Sequence, residues 1–407
     1  MGFKPKNTEN RRPELTRSRV DSGRSILSGN PRTRIVLVAN TAWNVWNFRR
    51  SLIETLVREG AEVVCLAPPD GYEKRLETME GASFLPLRRL SRKSISPFDN
   101  LRTFAELVRL FMRIRPDIAV LYTIKPNIFG AFASKLSGTP AIATVEGLGY
   151  AATAPPFFRR FIFLLFRFAF RFVRKVVFLN HGDRAEFLYH HVVSPDKSLV
   201  IKGAGVDTTY FSPLENAAPE PVFLFIGRLL TDKGVREFVQ AASLVQQVFP
   251  EARFQLLGSP DAGNPASIEP EELLHWIDNQ RIEYLGQVED VRPHIARSGV
   301  VVLPSYREGM PRALLEGMAM GKPVITTDSA GCRETVDEGK NGFVVPPENA
   351  EALAGAILRF LRLPVAQQLA MGHCSRQKAI MEFGDSAVLP QYAQLIRETL
   401  QMPSKSP

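Results

Sequence analysis

From residue 34 onward, short unbroken apolar runs alternate with stretches of helical period. The run Arg34-Ile-Val-Leu-Val-Ala-Asn40 reads as a buried first strand, and 48–59 reads as a helix that Gly60 stops. Further strands are expected at 62–67, 82–87, 118–123, 141–145 and 175–180. A second series follows at 222–228, 253–258, 282–285, 300–304, 323–327 and 342–345. Unbroken rather than alternating apolar runs are what a parallel sheet requires when helices cover both of its faces. The intervening helices then make βαβ units. The pattern predicts an α/β protein of two Rossmann-like, doubly wound domains facing a cleft, where ligands sit beyond the carboxyl ends of the strands.

The predicted organisation is a disordered basic arm at 1–30, a first domain at 31–211, a linker at 212–221 (SPLENAAPEP), a second domain at 222–385, and a crossover helix with tail at 386–407. A chain of 407 residues suits two or three domains at roughly 150 residues each. The arm is polar and rich in Arg and Ser, without the apolar stretch of a signal peptide. No uninterrupted apolar run reaches the ~18 residues of a membrane span.

Charge changes the picture. The formal net charge is +9, but residues 1–213 carry +15 and residues 214–407 carry −6. A basic half joined to an acidic half implies that the first half meets something anionic. The segment 157–175 is the extreme case, with six cations, no acid and many phenylalanines. Arg159, Arg160, Arg167, Arg171 and Arg174 can gather toward one side of a helix lying among lipid headgroups. An anionic membrane surface is therefore an expected partner. Nucleic acid is not, since no nucleic-acid-binding motif occurs. Cys65, Cys332 and Cys374 are scattered without a CxxC pair, which fits a reducing compartment and gives no zinc site. The expected location is cytoplasmic, peripheral to the inner face of the plasma membrane.

The chemistry concentrates in the second half. The segment Ser305-Tyr-Arg-Glu308-Gly309-Met310-Pro311-Arg312-Ala-Leu-Leu-Glu316 reads as strand end, loop and helix start. The free N–H groups and positive dipole end of such a helix attract phosphate. Gly309 allows close backbone approach, and Arg312 can add a charge-assisted bond to a diphosphate. Glu316, one turn into the helix, can accept from a ribose diol, while Glu308 can meet sugar hydroxyls. Upstream, Gly227-Arg228-Leu-Leu-Thr-Asp-Lys233-Gly234 places two cations where both can converge on one anion.

This constellation resembles the Glu-x7-Glu motif of the retaining glycosyltransferase family 4, whose fold of two Rossmann-like domains is called GT-B. The match includes the Gly-x-Pro between the carboxylates and the following Gly321-Lys-Pro-Val-Ile-Thr-Thr-Asp328. The resemblance implies that Arg228, Lys233 and Glu308 are catalytic, with the cations stabilising the departing diphosphate. Gly227, Gln287, Val288, Gly309, Met310, Pro311, Arg312 and Glu316 would bind the donor, with Gln287 and Val288 in a loop framing a base, expected to be uracil. It further implies a UDP-sugar donor.

In the first half, Asn40-Thr-Ala-Trp43-Asn-Val-Trp-Asn47-Phe48-Arg49 replaces the Gly-rich loop many family members carry. Tyr122-Thr-Ile-Lys125-Pro-Asn127, Thr144-Val-Glu146-Gly147-Leu-Gly149-Tyr150 and Phe178-Leu-Asn180-His181-Gly-Asp183 resemble the branch that transfers hexosamines to polyprenyl-diphosphate sugars in bacterial glycan assembly. A lipid-linked sugar acceptor is implied, facing Asn47, Arg49, Lys125, Asn127 and Glu146. Many relatives carry a His after the fifth strand. Here Glu146 stands there, and His181 is the only imidazole in a comparable place.

No Asp-x-Asp occurs in the chain, so no metal ion and no cofactor is expected, and cationic side chains take over the charge stabilisation. Competing readings are a GT-B nucleotide-sugar epimerase, a non-catalytic sugar-nucleotide-binding protein and a nicotinamide dehydrogenase. The last lacks a Gly-x-Gly-x-x-Gly after either first strand. Glu308→Gln and Lys233→Ala are each expected to lower turnover at least about tenfold, the scale of removing one donor to developing charge, while EDTA leaves it unchanged. Full activity of either variant, or strong inhibition by EDTA, contradicts these assignments.

Overall fold

The computed structural model describes residues 33–91, 94, 96–147, 155–213, 220–261, 263–279 and 281–403. The arm at 1–30, most of the linker, the motif positions Gly149 and Tyr150, and the last four residues lie outside the described residues.

Two parallel sheets organise the molecule. The first has seven strands in the order β3-β2-β1-β4-β5-β6-β7. These are β1 (Arg34–Val38), β2 (Glu62–Ala67), β3 (Ala82–Pro86), β4 (Ile118–Tyr122), β5 (Ala141–Val145), β6 (Lys175–Phe178) and β7 (Ser198–Val200). The second has six, in the order β10-β9-β8-β11-β12-β13. They are β8 (Val222–Ile226), β9 (Arg253–Leu257), β10 (Glu283–Gly286), β11 (Val300–Leu303), β12 (Val324–Thr327) and β13 (Gly342–Val345). The expectation of two doubly wound α/β lobes holds.

The unbroken apolar runs have a direct structural cause. Along β1, Val36 and Val38 enter one core while Ile35 and Leu37 enter another on the opposite face. β4 divides likewise, with Ala119 and Leu121 on one side and Ile118, Val120 and Tyr122 on the other. A strand covered twice has no face left for polar residues.

The last helix, Asp385–Gln401, returns to the first lobe. Its Val388, Leu389, Tyr392, Leu395 and Ile396 join the core that holds Ile35 and Leu37. The Tyr392 hydroxyl donates to the Gly203 carbonyl at 3.1 Å. The C-terminal segment therefore completes the N-terminal core.

Three elements differ from the expectation. The first helix runs from Ala42 to Arg58 and starts six residues before the anticipated position. Thr41 caps it, its hydroxyl accepting from the Asn44 amide at 3.0 Å, and a side-chain cap lets a helix begin among residues of modest propensity. Strand β7 was not anticipated, because three residues give too short an apolar run. The basic segment is helical only over Pro156–Ala169. Arg171 and Arg174 lie beyond the helix, and Lys175 opens β6 with its ammonium on the Asp196 carbonyl at 2.8 Å.

Tyr392→Ala would empty a fully buried site shared by both ends of the chain. It is expected to destabilise the protein by about 3 to 5 kcal/mol, read from urea unfolding. An unchanged midpoint would show that the last helix does not support the first core.

Candidate active site

In the second lobe, glycines set the approach of three loops. Gly234 has φ 72°, and a Cβ there would overlap the Pro304 carbonyl. The turn that carries Lys233 thus lies directly on the exit of β11. Gly258, at φ 147°, lies equally close to the Gly227 carbonyl, so the Gly227-Arg228 loop packs on the exit of β9. The Asp232 carbonyl accepts from the Tyr306 amide at 2.9 Å and from the Ser305 hydroxyl at 3.0 Å. These contacts bring the Lys233 ammonium into an ion pair with Glu308.

Each cation of the site already has a carboxylate. Besides the Lys233–Glu308 pair, Arg228 Nη1 meets Asp261 Oδ2 at 2.7 Å and Arg312 Nε meets Glu316 Oε1 at 2.7 Å. The helix Arg312–Ala319 begins after Pro311 with no side-chain cap, so its first-turn N–H groups are available to an anion. Burial raises the Glu316 carboxyl above its ordinary pKa, against the opposing pull of Arg312. Gln287 Oε1 accepts from the Ser259 hydroxyl at 3.1 Å, and Val288 and Met310 each pack half-buried on the core of the second lobe. Among the described residues no three His, Cys, Asp or Glu converge as a metal site would require.

The first lobe places its assigned residues differently. Arg49 is only 1% exposed. Its guanidinium pairs with Glu146 and stacks 4.0 Å above the Tyr122 ring. Burial is the largest influence and opposes its charge, but Glu146 together with Tyr122 and Tyr392 outweighs it, and the pKa is raised. Asn127 is also 1% exposed and donates to the Thr144 carbonyl at 2.8 Å. It lies in a π-helical turn, Pro126–Gly130. Arg49 and Asn127 are thus both buried, Arg49 paired with Glu146 and Asn127 bonded to the backbone of β5. Asn47 donates to the Trp43 carbonyl at 2.9 Å within its own helix. The Lys125 ammonium donates to the Ser91 carbonyl at 2.6 Å and to that of Ser94. Glu146 keeps a partly exposed carboxylate. Thr123, at φ 70°, is a β-branched residue in the left-handed region, a strained placement at the exit of β4.

The lobes meet at the carboxyl ends of both sheets. A Cβ on Gly309 would overlap the Glu146 carbonyl, and Gly147 lies against Gly309. Asn180 caps the helix His181–Tyr189 and donates to the Gly309 carbonyl at 2.6 Å. The His181 ring is mostly exposed, with Nδ1 3.2 Å from Glu334. Arg312 stands 5.4 Å from the Phe48 ring across the cleft. Lys233, Glu308, Gly309 and Glu146 are thus gathered at one point, with Arg312 and Glu316 one turn of helix away. Sequence reasoning missed Asp261, Gly258 and the strain at Thr123. Only Gly258 left a signal, as a glycine closing a strand.

Two Rossmann-like lobes with an uncapped helix start, paired cations and a carboxylate at their junction match the architecture of a GT-B glycosyltransferase. The profile described as "Glycosyl transferase 4-like domain" matches residues 45–203, and "Glycosyl transferases group 1" matches 220–362. The chain belongs to this glycosyltransferase family. It is 29% identical to the N,N'-diacetylbacillosaminyl-diphospho-undecaprenol alpha-1,3-N-acetylgalactosaminyltransferase of Campylobacter jejuni, over 80% of this chain and 88% of that protein. It is 26% identical to the UDP-Gal:alpha-D-GlcNAc-diphosphoundecaprenol alpha-1,3-galactosyltransferase of Escherichia coli, over 66% of this chain and 72% of that one. Its fold is similar to Anabaena HepE in complex with UDP, at a TM-score of 0.73 and 19% identity, covering 90% of this chain and 100% of that one.

If Glu316 accepts from a ribose diol, its protonation removes the charge and weakens the acceptor. Because its pKa is raised, UDP affinity is expected to weaken on acidification before the ordinary carboxylate range is reached. Glu316→Gln is expected to bind more weakly at neutral pH and to lose that part of the pH dependence. Calorimetric titration of both proteins checks this, and identical pH profiles would contradict it.

Proposed function

We propose that this glycosyltransferase moves a hexosamine, GalNAc or GlcNAc, from a UDP-sugar to a polyprenyl-diphosphate-linked sugar in bacterial surface glycan assembly, with retention of anomeric configuration. The observation that carries the reading is the junction itself. Lys233 and Glu308 of the second lobe lie against the exit of β5, where Glu146 presents a carboxylate from the first. The Campylobacter relative, named as an N-acetylgalactosaminyltransferase acting on a diphospho-undecaprenol-linked sugar, and the UDP complex of HepE support the reading.

Chemistry follows from the charges. The donor pyrophosphate lies over the uncapped start of Arg312–Ala319 and draws Arg228, Lys233 and Arg312 away from their carboxylates. Glu316, freed from Arg312, takes the ribose hydroxyls. Glu308, freed from Lys233, takes hydroxyls of the donor sugar. An acceptor hydroxyl from the first-lobe side forms the new C–O bond at the anomeric carbon, on the face from which the leaving group departs, as the bond to the β-phosphate breaks and the hydroxyl proton passes to a β-phosphate oxygen. The bonding electrons leave on UDP, and Arg228 and Lys233 stabilise the charge that grows there. No side-chain nucleophile is invoked, and no metal ion.

The acceptor's lipid brings the enzyme to a bilayer. Among the described residues no helix is long and apolar enough to cross one. The helix Pro156–Ala169 instead exposes Phe157, Phe161, Leu164 and Phe168 at helical spacing, flanked by the exposed Arg160 and Arg167. Its other face buries Phe163 and Phe166. An exposed apolar stripe edged by guanidinium groups suits the headgroup layer of an anionic membrane, with the protein peripheral to its cytoplasmic face. The helix packs on the turn Pro126–Gly130 beside Lys125, so the acceptor-side loops adjoin the proposed membrane face.

Incubation with UDP-GalNAc or UDP-GlcNAc and a detergent-solubilised undecaprenyl-diphosphate sugar is expected to release UDP and add one N-acetylhexosamine to the lipid product by mass. The new linkage should be α by NMR. Flotation with anionic vesicles should fail for a Phe161→Ser, Arg167→Gln variant that keeps activity in detergent. UDP-sugar interconversion without acceptor would establish an epimerase instead. UDP binding without transfer to any lipid-linked sugar would leave only a binding protein.

A further inference from the structure

Arg307 precedes the catalytic-loop Glu308 and belongs to the second lobe, yet both of its ion-pair partners lie in the first. Its guanidinium pairs with Asp183 and with Glu186, both on the helix His181–Tyr189. Asp183 is fully buried, and Glu186 nearly so. The same Glu186 also pairs with Arg159 of the basic helix Pro156–Ala169. Two guanidinium groups and two carboxylates thus form a neutral quartet across the lobe boundary. Around it, Asn180 donates to the Gly309 carbonyl, and Asp183 accepts from Asn180 at 2.8 Å. The His181 amide at the start of the same helix donates to Glu334 of the second lobe. Phe187 of this helix packs on Phe163 and Phe166 of the basic helix, with ring centroids 5.3 and 5.4 Å apart.

We infer that Arg307 is an interlobe positioning residue: its pairing with Asp183 and Glu186 holds the closed arrangement in which Glu308 and Gly309 reach the acceptor side. A buried carboxylate that loses its only cation is strongly disfavoured. Asp183 has a guanidinium partner only while the lobes are closed, because Arg307 reaches it from the opposite lobe. When the lobes part, water can solvate Asp183 instead. Removing the Arg307 charge therefore penalises the closed state more than the open one. Nothing in this pairing touches the UDP moiety, whose proposed contacts lie on Arg228, Lys233, Arg312 and Glu316, while the neighbouring Glu308 takes only the sugar hydroxyls. The inference rests on that donor-site reading, and the two fail differently: if the donor site is wrong, UDP does not bind the wild type.

The test is a cycle of variants in the full chain, with turnover and UDP affinity measured separately. Arg307→Gln is expected to lower kcat at least tenfold while the UDP dissociation constant stays within twofold. Arg307→Lys, which keeps the charge but not the fork, should fall between them. The double variant Asp183→Asn, Arg307→Gln removes the unpaired buried charge and should regain part of the activity lost by Arg307→Gln alone. Small-angle scattering with UDP-sugar should show the wild type compact and Arg307→Gln more extended. The inference is overturned if Arg307→Gln keeps kcat within twofold, or if its UDP affinity falls in step with kcat. Misfolding of both Arg307→Lys and Arg307→Gln would also overturn it, by showing that Arg307 serves the stability of its own lobe.

Discussion

The site depends on how closely two backbones approach at the lobe boundary. Gly309 lies so near the Glu146 carbonyl that no side chain fits between them, and Gly331 lies as near the carbonyls of Glu308 and Gly309 from the other side. The catalytic loop is sandwiched between β5 of the first lobe and the turn after β12 of the second. Only residues without Cβ permit this stack. It places the Glu308 carboxylate at the exit of one sheet and within reach of the other, where the ligands of open α/β sheets bind.

Electrostatics then prepares the site. Three cations near the junction each rest on a carboxylate: Lys233 on Glu308, Arg312 on Glu316, Arg228 on Asp261. In the proposed function a pyrophosphate would offer these cations a denser negative charge and release the carboxylates for sugar and ribose hydroxyls. One set of ion pairs can thus exchange for another without leaving a charge unpaired, and buried charges must be kept paired. The Arg49–Glu146 pair is different in kind. Arg49 is buried against the Tyr122 ring beside the returning helix, so it fixes the position of Glu146.

Much of the fold was legible because the strands are covered on both faces and show as unbroken apolar runs. β7 was not, since three edge residues carry too little pattern. The start of the first helix was hidden because Thr41 supplies a cap that the apolar period does not announce. At the site, Glu308, Gly309, Arg312, Glu316, Arg228 and Lys233 lie in two short segments whose chemistry can be read locally. The Arg307–Asp183 pair joins residues 124 positions apart, and neither local sequence indicates the other. Arg49 and Asn127 stood in motifs of the acceptor half, but spacing did not reveal that both are buried.

The central claim is that a pyrophosphate replaces carboxylates on the cations at the mouth of the second lobe. A crystal structure of the UDP complex tests it most directly. The phosphates should lie over the start of the helix Arg312–Ala319, in contact with Lys233, with Glu316 turned from Arg312 to the ribose hydroxyls. A nucleotide bound elsewhere, or bound here with the Lys233–Glu308 and Arg312–Glu316 pairs intact, would contradict the account.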